Sequence, residues 1–270
     1  MRSSVEEELV MRHRRIMAPA AALAIVFCLG FAAKHATAAP REIGGYVAQA
    51  EDRFVRNVWN FVKNFQSWQS IGGHQWKNDQ YYWMEPWVFD GSHNAYVDSQ
   101  DFAYVACHGG PWVTASHDGI GDVDFRNLPA YGDLPNGGDM EFLVIESCDT
   151  ITAFPEATFD WNGWRHNGPG GVMGGLHQAM GFWTLSISDN RIPEFFASQV
   201  KGNNVVWQAW FTAVQLERQF PTWRPDDVEA GVAYPGWASA VMPQKCKSDR
   251  LGSYSADPVA SDLLYSVWEE

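Results

Sequence analysis

A histidine and a cysteine each follow a short apolar run in this sequence, and this pair of residue types can perform nucleophilic catalysis. The first run, residues 102–107, ends at His108, and the second, residues 142–145, is followed closely by Cys148. An imidazole beside a thiol can take the proton from sulfur, because the thiolate is the nucleophile, and can return that proton to a leaving group. Gly109 follows the histidine directly, so its backbone N–H could stabilise an oxyanion. The sequence therefore indicates a His108–Cys148 dyad with Gly109 as an oxyanion donor.

The elements around these residues indicate the fold that must position them. Continuous apolar runs of this length are typical of strands covered on both faces, as in a parallel sheet. Residues 174–180 are expected to start a helix, residues 182–188 alternate as a strand does, and residues 192–200 and 205–219 show helical spacing. This order predicts an α/β fold, in which reactive groups gather beyond the carboxyl ends of the strands.

The segment before the first run is rich in aromatic residues. Residues 46–68 carry apolar positions at spacings of three and four, which predicts an amphipathic helix. Residues 72–97 have no helical period and predict short strands and loops. The Trp and Tyr side chains of residues 76–96 pack in a core or stack on a ligand, so a non-catalytic module that binds glycan or protein is the alternative function.

The N-terminus has the features of an export signal. Basic residues at 12–15 precede an apolar run over residues 16–33 and small residues at 36–38. This order predicts cleavage after Ala38 and a periplasmic or secreted protein, by either the general or the twin-arginine route. The apolar run is also near the minimum length of a membrane-spanning helix, which leaves an uncleaved anchor open. After cleavage the chain keeps Cys107, Cys148 and Cys246, and a disulfide from Cys107 to either of the others remains open.

Composition excludes several other classes of protein. Hydrophobic residues make up 46% of the 270 residues and charged residues 19%, which is the balance of a globular protein. The 19 basic and 32 acidic residues give a net charge of −13, which excludes nucleic acid as a partner. No paired metal-ligand spacing, dinucleotide fingerprint or serine-hydrolase elbow is present, so we expect neither a metal nor another cofactor.

The two blocks resemble a family of cysteine peptidases. Residues 145–149, Ile-Glu-Ser-Cys-Asp, look like the Ile-Glu-Ala-Cys-Glu run of legumains, and residues 147–150, Ser-Cys-Asp-Thr, look like the Ala-Cys-Glu-Thr run of CHAT domains. An apolar strand ending in His-Gly, followed by a second ending in a small residue and Cys, is the signature of the caspase-hemoglobinase fold, which also includes caspases, gingipains and separases. The resemblance spans roughly residues 96–220, and the same pair of blocks resembles a group of exported bacterial domains.

The resemblance implies both a fold and roles for individual residues. It implies a three-layer α/β fold with a central, mostly parallel sheet flanked by helices, and a peptide or protein as the substrate. His108 would be the general base and acid, Cys148 the nucleophile and Gly109 an oxyanion donor, while Glu146 and Asp149 would bind the substrate. The chain would then divide into a signal peptide (1–38), a helix with an aromatic segment (39–95), a catalytic core (96–220) and an irregular C-terminal tail (221–270).

Overall fold

A mostly parallel eight-stranded sheet forms the centre of the protein. The structure, a computed structural model, describes residues 39–48, 52–132, 137–151, 171–186, 190–220, 230–236, 245–255, 258 and 263–268. The strands are β1 (Arg41–Val47), β2 (Gln69–Ile71), β3 (His74–Trp83), β4 (Phe102–Ala106), β5 (Gly109–Gly110), β6 (Val113–Ala115), β7 (Asp122–Asp124), β8 (Phe142–Glu146), β9 (Gln178–Phe182), β10 (Ala230–Gly236) and β11 (Leu263–Trp268). The helices are α1 (Asp52–Val62), α2 (Pro86–Phe89), α3 (Ile192–Lys201) and α4 (Val206–Arg218).

The strand order of the large sheet is β11-β10-β9-β8-β4-β1-β3-β2. The five strands from β9 to β3 pair in parallel, whereas β10, β11 and β2 pair antiparallel at the two edges. A second, three-stranded sheet, β5-β6-β7, follows β4 directly. The α/β architecture expected from the sequence, with a mostly parallel central sheet flanked by helices, is therefore confirmed.

The central strands are covered on both faces, as their apolar runs predict. One side of β4 and β8 packs with α1, α3 and α4 in a core cluster, and we call this side the helical face. The other side packs with α2, β7 and the segments around residues 125–131 and 172–176. All five residues of β4 and all five of β8 are buried. A strand that is buried on both faces lacks the alternation of apolar and polar residues that a strand with one solvent-exposed face would show.

Two elements differ from the sequence-based expectation. The predicted helix over residues 46–68 is shorter, because residues 41–47 form β1. Gly45 lies so close to α1 that an added Cβ would be 2.7 Å from side-chain carbons of both Val58 and Val62. Residues 178–182 form a buried strand where a helix was expected, since a short apolar run does not distinguish the two.

The C-terminal segment is more regular than predicted. Residues 221–270 were expected to be an irregular tail, yet β10 and β11 extend the large sheet beyond β9. β1 and β3, from the segment 39–95, likewise belong to the same sheet as β4 and β8. The predicted export signal, residues 1–38, lies outside the described residues. Within the described residues, no helix is long and apolar enough to cross a membrane.

Phe61 tests the packing between α1 and the sheet. Its ring lies 4.5 Å from that of Tyr104, 5.3 Å from that of Phe102 and 5.6 Å from that of Phe196, measured between centroids. We expect Phe61→Ala to lower the free energy of unfolding by about 3 to 5 kcal/mol, because it leaves a cavity among these rings. Urea denaturation measures the change. The control Trp59→Ala removes a ring on the same helix that is 41% exposed, and equal losses in the two variants would contradict this account.

Candidate functional site

His108 and Cys148 lie at matching positions beyond the carboxyl ends of two adjacent parallel strands. β4 and β8 pair with Ala106 opposite Glu146, and the backbone N–H of Cys107 donates to the carbonyl of Glu146 at 3.3 Å. His108 and Cys148 each follow this pair by two residues. Neighbouring strands are about 4.8 Å apart, so the two residues come from backbones one strand spacing apart. The pairing thus brings the two sequence-predicted residues to one edge of the sheet.

His108 lies on the helical face of the sheet. Side chains alternate along a strand, and the ladder of β4 continues to the backbone N–H of Cys107, so positions 104, 106 and 108 share one side. Tyr104 and Val144 belong to the core cluster of the helical face. Phe54 of α1 packs edge-on against the His108 ring, with 4.9 Å between centroids. α1 therefore borders the candidate site.

The His108 ring is exposed and accepts a hydrogen bond from α1. The guanidinium of Arg53 lies 3.1 Å from Nε2. Because a guanidinium only donates, Nε2 must accept, and this bond assigns the proton of the neutral ring to Nδ1. Arg53 thus occupies the one lone pair through which a neutral imidazole can act as a base.

The Cys148 sulfur is partly buried and faces the segment before α3. The backbone N–H of Ser186 lies 3.3 Å from Sγ, and the Ser186 hydroxyl lies 3.7 Å from it. An N–H directed at sulfur interacts more strongly with a thiolate than with a thiol. Sγ also lies 3.9 Å from the carbonyl oxygen of Ser186, so the backbone and the hydroxyl of this one residue position the sulfur.

The backbone around the two residues is closely packed. A Cβ on Gly109 would lie 2.4 Å from the Ser147 Oγ and 2.7 Å from the Val113 carbonyl oxygen, so only glycine fits there. Asp149, directly after the cysteine, has a φ of 52°, and its N–H donates to the carbonyl of Thr184 at 2.9 Å. This left-handed residue turns the chain immediately after Cys148. The Asp149 side chain is partly buried at the same edge.

Glu146 lies in the interior, which differs from the expected role in binding substrate. It is 2% exposed. Its Oε1 accepts from the side-chain amides of Asn57 and Asn190, both at 2.7 Å, and its Oε2 accepts from the Tyr104 hydroxyl at 2.9 Å. Burial raises the pKa of the carboxyl to about 7, while the three hydrogen bonds act in the opposite direction. Glu146 therefore joins α1, β4 and the start of α3 beneath the site.

The other two cysteines in the described residues are buried. Cys107, Cys148 and Cys246 are all free thiols, so neither disulfide left open by the sequence is present. Cys107 is 1% exposed, on the side of the sheet opposite the helical face, and burial raises the pKa of its thiol to about 12. Of these three thiols, only Cys148 combines exposure with a position beside the histidine.

Two groups of possible metal ligands lie elsewhere, near the amino ends of the strands. His177, Cys246 and Asp249 form a buried group, in which the imidazole Nδ1 lies 2.7 Å from a carboxylate oxygen of Asp249. A second group contains the carboxylates of Asp101, Asp139 and Glu141. The donor types of the first group suit zinc and those of the second suit a hard cation. Neither group includes His108 or Cys148.

Sequence reasoning missed the residues that surround the pair. Arg53, Asn57, Ser186 and Asn190 contact His108, Cys148 or Glu146 from α1 and from the segment before α3. Their positions follow no motif, and the nearest in sequence to its partner is 38 residues away, so only the folded chain brings them together.

The fold and the site define this chain as an α/β protein with a candidate His–Cys site at the carboxyl edge of a mostly parallel sheet. A family model described as a domain of unknown function, DUF6345, matches residues 46–268, and the chain belongs to this family. A search of the curated proteins gives no match.

One solved structure with which the chain shares similarity is the X-ray structure of a secreted C11 cysteine protease from Bacteroides thetaiotaomicron in complex with an irreversible peptide inhibitor. The two share 11% sequence identity with a TM-score of 0.41. The match covers 72% of this chain, which spans 66% of the length of that protease. The site described above therefore rests on the geometry of this chain alone.

Glu146 predicts a specific pH dependence of stability. Its folded pKa of about 7 lies above the ordinary value of 4.5, so between these pH values the folded state holds a proton that the unfolded state has lost. The stability that comes from holding this proton is complete below pH 4.5 and is lost as the pH rises to about 7. Over this range the free energy of unfolding falls by about 3 kcal/mol. Glu146→Gln should remove this part of the fall in the free energy of unfolding, measured by urea denaturation from pH 4 to 8. Parallel curves for the variant and the wild type would contradict the assignment.

The Arg53 contact predicts an effect on the reactivity of Cys148. Arg53→Ala frees the lone pair of His108 Nε2, and we expect alkylation of Cys148 by iodoacetamide to become about two- to tenfold faster, which corresponds to the net free energy of one hydrogen bond. Arg56→Ala removes the same charge from the exposed side of α1 and is the matched control. A rate that is unchanged in Arg53→Ala, or raised equally in both variants, would show that this bond does not limit the base.

Proposed function

We propose that this protein is an exported cysteine endopeptidase in which His108 and Cys148 form the catalytic dyad. The observation that carries the proposal is the pairing of Ala106 with Glu146, which brings both residues to one edge of the sheet. The partly buried sulfur with an N–H donor and the exposed imidazole support it further. The resemblance of the two sequence blocks to those of caspase-hemoglobinase peptidases points to the same reaction.

The dyad would hydrolyse a peptide bond through a thioester. In this reaction the Arg53 hydrogen bond to Nε2 of His108 opens first. His108 then takes the proton of the Cys148 thiol through Nε2, and sulfur attacks the carbonyl carbon to form a C–S bond. The negative charge moves to the carbonyl oxygen, which would accept hydrogen bonds from the backbone N–H groups of Gly109 and Cys148. When this intermediate collapses, the C–N bond breaks and His108 gives its proton to the leaving amine. Water, deprotonated by His108, then attacks the thioester and releases the carboxylic acid and the free thiol.

The substrate and the compartment follow from the residues nearest to the dyad and from the N-terminus. Asp149, which is partly buried directly after the nucleophile, would bind the substrate, and a basic or amide side chain before the scissile bond is the preference we propose. Glu146 acts through the elements that it joins and makes no substrate contact. Cleavage of a signal peptide after Ala38 would deliver the protein to the periplasm or the exterior. The reaction requires no cofactor.

A second candidate function is a non-catalytic module that binds glycan or protein. Exposed aromatic side chains favour it: Tyr81, Tyr82, Trp83 and Trp87 are each about 40% exposed near the end of β3. Inert thiols, together with saturable glycan binding that quenches tryptophan fluorescence, would support this function over the peptidase.

The alkylation rates of the three cysteines test the dyad. On the folded protein near pH 7 we expect Cys148 to react fastest, because Cys107 and Cys246 are at most 1% exposed. His108→Ala should slow the labelling of Cys148 by about tenfold and any peptide hydrolysis by about 100-fold, the lower range for loss of a general base. Peptide mass spectrometry measures the labelling at each site. His117→Ala removes a different histidine from the same edge and should leave the rate of Cys148 unchanged.

Two results would refute the proposal. One is labelling of Cys148 no faster than that of Cys246 whichever residue occupies position 108. The other is peptide hydrolysis that persists in a Cys148→Ala variant, because the thioester cannot form without the sulfur.

A further inference from the structure

A largely apolar pocket lies at the carboxyl ends of β1 and β3. It has a volume of about 320 Å³ and is lined by Val47, Tyr81, Tyr82 and Trp83. This volume lies at the lower end of the range for small-molecule sites and can hold one large side chain. The three aromatic residues are each 41% exposed, and the Trp83 ring stacks on His117 with 3.9 Å between centroids. The pocket is thus a rigid aromatic surface open to solvent.

Strand pairing places this pocket at the same edge as the dyad. Trp83 of β3 pairs with Val47 of β1, Val47 pairs with Ala106 of β4, and Ala106 pairs with Glu146 of β8. These four paired residues form one row across four parallel strands. The dyad follows the β4 and β8 end of the row, and the pocket lies at the β3 and β1 end.

The pocket and His108 also share the helical face. Val47 belongs to the core cluster of that face. Paired residues of parallel strands point to the same side of a sheet, so Trp83 shares the side of Val47, and Tyr81 shares the side of Gly45. Tyr82 lies between them in the strand and its side chain points to the opposite side, where it packs on Trp87 and Tyr96. Tyr81 confirms this placement, because its hydroxyl donates to the carbonyl of Val55 in α1 at 3.5 Å. A chain lying across this face of the edge could therefore reach both places.

The order along the row is cysteine, histidine, pocket. In the proposed reaction His108 gives its proton to the leaving amine, so the part of the substrate that follows the scissile bond lies on the histidine side of Cys148. The pocket lies farther in that direction, two strand spacings or about 10 Å from the backbone of β4. An extended peptide advances about 3.3 Å per residue, so this distance corresponds to about three residues.

We propose that the pocket is the subsite for a large apolar side chain, aromatic or branched aliphatic, located about three residues after the scissile bond. The inference rests on the proposed function and adds the substrate class to it. A flat aromatic lining binds such a side chain by removing apolar surface from water and through ring contacts. The pocket would act on the step that forms the thioester, because the leaving peptide has departed before water attacks.

Digestion of a proteome-derived peptide library tests the subsite, because such a library offers many different bonds for cleavage at once. Mass spectrometry of the products gives the residue frequencies on each side of the cut. For the wild type we expect enrichment of Phe, Tyr, Trp, Leu and Ile at the second to fourth positions after the cut. Trp83→Ala should remove that enrichment and lower kcat/KM by about tenfold or more for a peptide with Phe at the enriched position. It should leave the frequencies before the cut unchanged.

The control variants separate a subsite from a general loss of structure. Trp68→Ala removes an indole that is 49% exposed and lies just before β2, at the opposite end of β3, and it should keep the full enrichment. Tyr81→Ala alters the same pocket from another position on the helical face and serves if Trp83→Ala does not fold, as judged by circular dichroism. A fluorogenic substrate that carries only a coumarin amide after the scissile bond should be cleaved equally by wild type and Trp83→Ala.

The possible failures are distinguishable. Cleavage that requires Cys148 but shows no preference after the cut, or a preference that survives Trp83→Ala, overturns the subsite and leaves the peptidase intact. Absence of any Cys148-dependent cleavage overturns the proposed function and the subsite with it. Binding of chito- or cello-oligosaccharides that is lost in Trp83→Ala, with cleavage unaffected, would assign the pocket to glycans and overturn the subsite.

Discussion

The parallel pairing of β1, β4 and β8 is the constraint on which the rest of the structure depends. These strands are buried on both faces, so any slip of one residue would move their side chains to the opposite face. The register therefore fixes which residues leave the sheet at the same level. His108 and Cys148 share that level, one strand apart, because Ala106 pairs with Glu146. Local motifs point to His108 and Cys148, and strand register brings these two residues to the same level.

Buried polar contacts beneath the edge hold the neighbouring elements in place. The Glu146 carboxyl accepts hydrogen bonds from α1, from β4 and from the segment before α3. Burying this group without these partners would be costly, so the arrangement is specific as well as stabilising. α1 carries Arg53 and Phe54 to His108, and the segment before α3 carries Ser186 to Cys148. The Glu146 carboxyl is thus hydrogen-bonded both to the helix that contacts His108 and to the segment that contacts Cys148.

The aromatic segment and the candidate dyad lie at the same edge of the sheet. Sequence patterns alone present a catalytic pair and a Trp- and Tyr-rich stretch as alternatives. β1 lies between β3 and β4, and its pairing with both strands places Trp83 in the same row as Ala106 and Glu146. In the reaction that we propose, the substrate would extend along this row from the sulfur across the histidine to the aromatic pocket.

The sequence by itself determined the α/β class and the two residues of the candidate dyad. Runs of apolar residues and helical spacing are local, so β4, β8, α3 and α4 could be predicted close to their observed bounds. It did not determine β1, β10 or β11, because a short strand is recognised by its partners as much as by its own residues. It also assigned Glu146 to the substrate, since the same motif does not reveal which side chains are buried. Arg53, Ser186 and the position of the aromatic pocket depended on tertiary structure alone, because contacts between residues distant in sequence arise only when the strands pair and the helices pack on them.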